Sequence, residues 1–313
     1  MRKSTKIFIG IFAGILLLAV YSLIPVVGLY CQKDPPIVTN ADAIEKIKNN
    51  KGGYFQFIVF GDNHAGLILD DSAALKEIRS MNREGRFRKV PIDFVMSSGD
   101  ITFRGSPLDY RIFNRLRSRI TMPVICAAGN HDDDTKTALA DFKKYCGPAE
   151  FSFANRNSFF IVLDNSRGNL TEAQFARFEE ALKQSQAYQH RFVILHKPAM
   201  SFYQQSWYRP ETNPWSYRFM KLCEAAKVDI VFSGHEHMSM TATHGGVTYV
   251  VTGGGGIITQ LPAREGGFLH YVVVRVYGDY VDYEVRRILP PFWEYLVYYI
   301  WKEGFYFLKA QFS

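Results

Sequence analysis

The chain has 313 residues, of which 47% are hydrophobic and 21% are charged. This composition excludes wholesale disorder, and the length suits one large domain or two smaller ones. The formal net charge of +7 favours anionic partners such as phosphate esters, nucleic acid or acidic lipid, without choosing among them.

The N-terminal region, residues 1–31, predicts a membrane anchor. Three basic residues within the first six precede an uncharged stretch from Ile7 to Cys31. As a helix, Ile7–Ile24 would extend roughly 27 Å, close to the thickness of a bilayer's hydrocarbon core. Basic residues before the span keep the N-terminus in the cytoplasm, so the rest of the chain should lie on the extracytoplasmic side. The alternative is a cleaved signal peptide and a secreted protein.

Residues 32–53 predict a linker and an entry helix, and residues 54–290 predict the main domain. Short β-rich runs alternate with helical patterns there, which indicates an α/β fold, and the β-rich end indicates mixed sheets packed face to face. The predicted strands are Tyr54–Phe60, Ile92–Ser97, Met122–Ala127, Phe159–Asp164, Phe192–His196, Asp229–Ser233, Val247–Thr252, His270–Val276 and Val281–Arg287. The predicted helices are Asp71–Arg83, Pro107–Leu116, Thr137–Cys146 and Thr171–Gln184.

Polar side chains follow five of these strands at the point where each strand ends. The segments are Gly61-Asp62-Asn63-His64, Gly99-Asp100, Gly129-Asn130-His131-Asp132, Leu195-His196 and Gly234-His235-Glu236-His237. Ligands of open α/β sheets bind at the carboxyl ends of the strands, so these side chains should meet in one pocket. We expect the glycine in four of the segments to make the sharp turn that directs the next side chain into that pocket.

These residue types predict a metal centre. Imidazole and carboxylate ligands suit first-row divalent ions such as Mn, Fe or Zn, whereas no cysteine is placed to build a structural zinc site. The side chains exceed the needs of one ion, so two ions are expected. Two ions about 3.5–4 Å apart clamp a phosphoryl group and lower the pKa of a bridging water to near 7.

The order D-x-H, G-D, G-N-H-D, H and G-H-x-H resembles that of the calcineurin-like metallophosphoesterase superfamily, from about Phe57 to Val276. The stretch Gly99–Pro107 and the run Gly253–Gly256 are most similar to the branch with cyclic-nucleotide phosphodiesterases and related membrane-attached esterases. The resemblance implies a sandwich of two mixed β-sheets flanked by helices, here preceded by one transmembrane helix. It also implies hydrolysis of phosphodiesters or phosphomonoesters by a metal-bridging hydroxide.

The resemblance further implies a ligand set for each of two metals, with one residue shared. The first set is Asp62, His64, Asp100 and His237. The second set is Asp100, Asn130, His196 and His235. Asp100 would therefore bridge the two metals.

Other residues near these segments are expected to act on the substrate or on the ligands. His131 would be the general acid that protonates the leaving oxygen, a role suited to imidazole. Asp132 either orients His131 or a ligand, or is an ordinary turn carboxylate. Arg104 is a candidate for contacting a substrate phosphate. Trp207 and Tyr208 are candidates for shaping the leaving-group pocket.

The remaining features leave several functions open. Residues 291–313 are rich in Trp and Tyr, so they predict an interfacial segment that lays the domain against lipid. The favoured substrate is a phosphate ester at a membrane surface, including a lipid-linked ester. The alternatives are a nucleotide or cyclic nucleotide as substrate, or a non-catalytic metal-stabilised binding protein. Nucleic acid is not an expected partner, because no nucleic-acid module is recognisable.

Three histidines and three cysteines complete the predictions. His190, His244 and His270 should be structural or exposed, and Cys126 should be buried. A Cys146–Cys223 disulfide is allowed in an exported domain, although their spacing does not require one.

Overall fold

The computed structural model describes residues 33–47, 52–66, 73–84, 91–133, 139–202, 213–256 and 259–289. The predicted anchor, the aromatic C-terminal segment, and the substrate-contact candidates Trp207 and Tyr208 lie outside these residues and stay predictions. Across the described ranges, no helix combines the length and apolar character needed to cross a bilayer.

The described strands form two mixed sheets, which confirms the predicted sandwich. In chain order they are β1 (Tyr54–Phe60), β2 (Ile92–Ser97), β3 (Val124–Cys126), β4 (Phe151–Asn155), β5 (Ser158–Val162), β6 (His190–Ile194), β7 (Ile230–Ser233), β8 (Ser239–His244), β9 (Val247–Thr252), β10 (His270–Tyr277) and β11 (Tyr280–Arg287). One sheet has the order β11-β10-β1-β2-β3, and the other has the order β4-β5-β6-β7-β9-β8. The strands β1, β2 and β3 are parallel, as are β5, β6, β7 and β9. The six-stranded sheet therefore has a parallel centre between two antiparallel edges, whereas the five-stranded sheet is parallel from β1 to the edge strand β3 and antiparallel from β1 to β11.

Helices flank the two sheets. They are α1 (Asn40–Ile47), α2 (Ala73–Glu84), α3 (Pro107–Arg117), α4 (Ala140–Cys146), α5 (Glu172–Ser185) and α6 (Pro214–Ala225). Capping boxes begin two of them, because Ser106 and Thr171 accept hydrogen bonds from residues three positions on, and those side chains return the bond. The sequence pattern S/T-x-x-D/Q therefore sets where α3 and α5 start.

The alternation of side chains along β1 builds two hydrophobic layers at once. Phe57 points between the sheets, where its ring centroid lies 5.2 Å from that of Phe94 and 5.3 Å from that of Phe160. Ile58 and Phe60 belong instead to the cluster under α2 and α3. Because β1 is buried on both faces, it holds the residues that follow it rigidly.

Four described elements differ clearly from the sequence predictions. The strands β4 and β8 lie at the two edges of their sheet and are partly exposed, so they lack the continuous apolar run that marks a buried strand. The helix α6 was missed within an aromatic-rich region, although Trp215, Phe219 and Cys223 bury one face at helical spacing. The predicted helix Thr137–Cys146 begins only at Ala140, since Leu139 has a left-handed φ of 60°.

The described cysteines are buried and free, as predicted for Cys126. Cys146 belongs to the cluster under α3 and α4, whereas Cys223 belongs to the cluster under α5 and α6. A disulfide between these two is therefore absent from the described structure.

The predicted linker is docked on the sandwich. The side chain of Asn40 donates to the Cys126 carbonyl at 2.9 Å and accepts from the Cys126 N–H at 2.8 Å. This pairing gives the edge strand β3 the partner that a further strand would supply. Asp34 forms ion pairs with Arg111 and Arg115 on α3, at 2.9 and 2.8 Å.

Replacing Asn40 by alanine should lower the free energy of unfolding by about 2 kcal/mol, because the substitution leaves a buried N–H and a buried carbonyl of Cys126 without partners. Urea denaturation followed by circular dichroism measures this change. Asn169→Ala is a matched control, since Asn169 is exposed and should stay within about 0.5 kcal/mol of the parent. Equal stability of the Asn40 and Asn169 variants would contradict the docking.

Candidate metal centre

The five strand ends named in the sequence meet at one edge of the sandwich. The segments after β1 and β2 run side by side, and the N–H groups of Asp62, His64 and Ala65 each donate at 3.0 Å to carbonyls of the second segment. In the other sheet, the Gly234 N–H donates to the His196 carbonyl at 2.8 Å. Main-chain hydrogen bonds therefore fix the spacing between ligands that are far apart in sequence.

Within the described residues, two groups of side chains converge as the predicted ligand sets require. In one group, Asp62 Oδ1 lies 3.5 Å from His237 Nε2 and 4.0 Å from His64 Nε2. The other group consists of Asp100, His196 and His235, with ligand atoms within 4.8 Å of one another. Ligands that share an ion at about 2.0–2.2 Å lie roughly 3–4 Å apart, so both groups could hold a first-row divalent ion.

Asp100 lies between the two groups. Its Oδ2 is 3.6 Å from His64 Nε2 and 3.2 Å from His196 Nε2. The Oδ1 of Asn130 is also 3.2 Å from His196 Nε2. This geometry suits the bridging role proposed for Asp100 and the amide ligand role proposed for Asn130.

The surroundings of His64 suit the binding of a cation. Its side chain is fully buried, yet neither ring nitrogen makes a hydrogen bond with any described residue. Burying an imidazole without a hydrogen bond is costly, and the two nearby carboxylates add negative charge that a cation would neutralise.

Four of the predicted ligands have left-handed backbone conformations. The φ angles are 58° at Asp62, 45° at His64, 49° at Asp100 and 68° at His235. Non-glycine residues rarely adopt this region, and those that do cluster at functional sites, where surrounding structure holds them. The strain is thus concentrated on the residues proposed to hold metal.

The expectation that glycines make the turns is therefore mostly wrong. Only Gly99 has a left-handed φ, of 101°, whereas Gly61, Gly129 and Gly234 do not. At Gly129 a Cβ would collide with Asp100 Oδ1, and at Gly234 it would collide with Asp62 Oδ2. These glycines are required because carboxylates pack directly against the backbone, and the ligand residues themselves make the turns.

Burial and neighbouring charges shift the pKa values of the predicted ligands. Burial lowers the pKa of His196, but Asp100 and a hydrogen bond from the ring to the Ser98 carbonyl outweigh it and raise that pKa to about 9. Burial raises the pKa of Asp62 and lowers the pKa values of His64 and His235. A metal ligand must be a carboxylate or a neutral imidazole, so metal binding should release protons from this cluster.

His131 is anchored beside the ligand atoms. Its main-chain N–H donates to Asp100 Oδ1 at 2.8 Å. Its ring Nδ1 lies 2.9 Å from the Phe103 carbonyl, which can only accept, so the proton of the neutral ring sits on Nδ1. His131 also forms a third group with His64 and Asp100, so it lies as close to the centre as the ligands do.

Asp132 bonds to the main chain of two segments that carry predicted ligands, the one after β3 and the one after β2. Its carboxylate accepts from the N–H groups of Gly129 at 2.8 Å and Thr102 at 2.9 Å, and from the Thr102 hydroxyl at 2.7 Å. Burial and the charge of Asp100 raise the pKa of Asp132 to about 7. The contacts of Asp132 hold the segment that follows Asp100, a function that a carboxylate in an ordinary turn would not have.

One positioning residue was missed in the sequence. Asn165, fully buried after β5, accepts at Oδ1 from the N–H groups of His196 and Lys197, at 2.9 and 3.0 Å. Its Nδ2 donates to the Lys197 carbonyl at 2.8 Å. The signal was a polar residue at a sixth strand end, but neither glycine nor histidine accompanies it.

Arg104 lies at the rim of the centre. It is exposed, and its guanidinium is 5.2 Å from the ring centroid of Phe103. The Phe103 ring in turn stacks on His131, with centroids 6.2 Å apart. Within the described structure Arg104 pairs with no carboxylate through its side chain, so its guanidinium remains available to an anionic substrate.

The other described histidines are structural or exposed, as predicted. His190 is buried and bonds to Asp229 at 3.1 Å and to the Gly278 carbonyl at 2.9 Å. His244 is exposed in the β8–β9 hairpin. His270 is fully buried, and its Nδ1 lies 2.9 Å from the Phe268 carbonyl.

Acid should destabilise the fold through His270. Burial lowers its pKa from 6.5 to about 4, so between these values the unfolded chain binds a proton that the folded chain does not. Above pH 6.5 the His270 ring is neutral in both states and does not reduce stability. As the pH falls from 6.5 towards 4, the unfolded chain gains this proton first, so the free energy of unfolding should decrease by about 3 kcal/mol. Urea denaturation of metal-free protein at several pH values, with His270→Asn alongside, measures this loss. Parallel pH curves for the two proteins would show that His270 has no such effect.

Comparison with known proteins by sequence gives two matches. A family model described as calcineurin-like phosphoesterase matches residues 55–239. A probable cyclic nucleotide phosphodiesterase of Vesicomyosocius okutanii subsp. Calyptogena okutanii (strain HA) is 25% identical over 183 residues, which cover 57% of this chain and 74% of that protein.

Comparison with solved structures finds similar folds at lower sequence identity. Purple acid phosphatase PPD1 from yellow lupin (Lupinus luteus) seeds has a TM-score of 0.60 and 16% identity, covering 76% of this chain but only 52% of that one. GAP50, described as the anchor in the inner membrane complex of Plasmodium, has a TM-score of 0.59 and 13% identity, covering 75% and 85%. These likenesses show a shared fold.

Proposed function

The chain belongs to the calcineurin-like phosphoesterase family, and we propose that it hydrolyses phosphate esters at a membrane surface with His131 as the general acid. Family membership makes it a metal-dependent phosphoesterase. The observation that carries the finer proposal is the pair of histidine–carboxylate groups joined by Asp100, with His131 bonded to the same carboxylate.

The predicted ligands and His131 have separate proposed roles in hydrolysis. Asp62, His64 and His237 hold one side of the centre, and the second predicted set holds the other. When bound, two divalent ions supply Lewis-acid stabilisation of phosphoryl charge and acidify a water molecule. The Phe103 carbonyl holds the Nδ1–H of His131, so the protonated ring would deliver its second proton, from Nε2, to the leaving oxygen and return to the neutral form.

The membrane part of the proposal rests on the sequence. The uncharged N-terminal stretch supports an anchor with the catalytic domain on the extracytoplasmic side, and the aromatic C-terminal segment supports contact with lipid. A lipid-linked phosphate ester would meet both features. Arg104, Trp207 and Tyr208 are the proposed substrate contacts.

The test is hydrolysis of two model esters by the purified full chain in detergent. Bis-p-nitrophenyl phosphate and p-nitrophenyl phosphate are assayed side by side, with Mn²⁺-loaded protein and with chelator-treated protein. Turnover that requires metal is expected, and the preferred ester directs the search for the substrate. Full metal loading with no turnover of either ester would contradict the proposal and favour a metal-stabilised binding protein.

A second candidate is a cyclic nucleotide phosphodiesterase, which the 25% identity to the probable phosphodiesterase favours. Cyclic AMP and a phosphatidic acid vesicle separate the two substrate classes. Preferential turnover of cyclic AMP would favour the nucleotide, whereas turnover of the vesicle lipid would favour the membrane substrate.

A further inference from the structure

Lys197 is a half-buried cation that follows a predicted metal ligand and, among the described residues, forms no ion pair. It directly follows the predicted ligand His196, and within the described part of the chain its ammonium has neither a carboxylate partner nor a hydrogen bond. Two other shielded cations do form ion pairs: Arg115 pairs with Asp34 at 2.8 Å, and Arg156 pairs with Asp93 at 2.7 Å. Shielding a charged group without a partner is costly, so a ligand is the expected counterpart.

The main chain of Lys197 is fixed in place. The buried side chain of Asn165 bonds to both its N–H and its carbonyl, at 3.0 and 2.8 Å. The ammonium rests against the turn at Gly168, where a Cβ would be 3.9 Å from Nζ. The neighbouring Arg167 pairs with Asp133 at 3.0 Å, which ties this turn to the segment that carries Asn130 and His131. Hydrogen bonds therefore hold the main chain of Lys197 in place directly after the predicted ligand His196.

The ammonium also acts on the ligands electrostatically. It is one of the charges that lower the pKa of His235, after burial and His196. Burial lowers the pKa of Lys197 itself, and Asp100 partly opposes that shift. Lys197 thus lies within electrostatic range of the second ligand set.

A lysine near two divalent ions would be repelled unless an anion lies between them. A phosphoryl group provides that anion, because its non-bridging oxygens can accept a hydrogen bond from the lysine while facing the metals. We propose that Lys197 binds a non-bridging oxygen of the phosphoryl group and favours the doubly charged phosphomonoester over the singly charged phosphodiester. This inference rests on the proposed phosphoesterase function and assigns a specificity determinant to the same site.

The test measures binding of inorganic phosphate to the Mn²⁺-loaded full chain by isothermal titration calorimetry. Lys197→Met should weaken phosphate binding about 10- to 100-fold, the effect of losing one charged hydrogen bond. Lys197→Arg keeps the cation and should bind within about 3-fold of the parent. Lys183→Met is the matched control, because Lys183 is exposed on α5 and should bind phosphate like the parent. Metal content and melting temperature are measured for every variant.

A second readout compares kcat/KM for the two p-nitrophenyl esters. Lys197→Met should lower the ratio of monoester to diester activity about 10-fold or more, mainly through KM for the monoester. If Lys197→Met keeps its full metal content, the phosphate affinity of the parent and the parent's ratio of monoester to diester activity, the role of Lys197 is wrong. An active parent in the same experiment would leave the proposed hydrolysis intact. A parent that turns over neither ester but binds phosphate in a Lys197-dependent way would overturn the proposed hydrolysis and support the phosphate contact.

Discussion

His131→Ala is expected to lower kcat for phosphoester hydrolysis about 10²- to 10⁴-fold while leaving the metal content unchanged. The side chain is held by the Phe103 carbonyl, and its main chain donates to Asp100, so its ring is positioned to deliver a proton. The loss should be larger for phenyl phosphate than for p-nitrophenyl phosphate, because the better leaving group needs less protonation in the transition state.

The measurement compares kcat for both esters in the parent and the variant, together with metal content by mass spectrometry. His244→Ala is the control, since it removes an exposed histidine from the β8–β9 hairpin. Loss of a metal ion from His131→Ala would show that His131 is a ligand. The geometry permits that role, because potential ligand atoms of His131, His64 and Asp100 lie within 4.8 Å of one another. An equal loss for both esters would argue against proton donation.

Asp100→Asn is expected to abolish binding of at least one metal ion and to lower activity about 10³-fold or more. The change keeps the shape of the side chain but removes the charge of the one carboxylate whose Oδ2 approaches both ligand sets. Two imidazoles and a main-chain N–H would then face an amide instead of a carboxylate, and the bound cations would lose a shared negative ligand.

Titration of the metal-free variant with Mn²⁺, followed by the ester assay, measures both effects. Asp279→Asn is the matched control, because Asp279 is exposed in the β10–β11 turn. Retention of both ions with parent affinity in Asp100→Asn would contradict the bridging role.

Much of the fold could be predicted from local sequence pattern. The bounds of β1, β2 and β9 agree with the structure, because each is a buried run of apolar residues that ends abruptly at a polar or glycine residue. The helix starts at Pro107 and Glu172 follow from capping residues that act within three positions. Edge strands could not be found in this way, because partial exposure removes the apolar signal.

The candidate site divides along the same line. The Asp, Asn and His side chains that stand at strand ends can be identified from the sequence, since their position depends only on where each strand stops. By contrast, the left-handed conformations of Asp62 and Asp100, and the close packing at Gly129 and Gly234, are visible only in the folded protein. The same is true of the hydrogen bonds from Asn165 to the main chain of Lys197 and of those from Asn40 to the edge strand β3. These roles arise from contacts between segments that are distant in the chain, so they cannot be inferred from the residues that adjoin each position in the sequence.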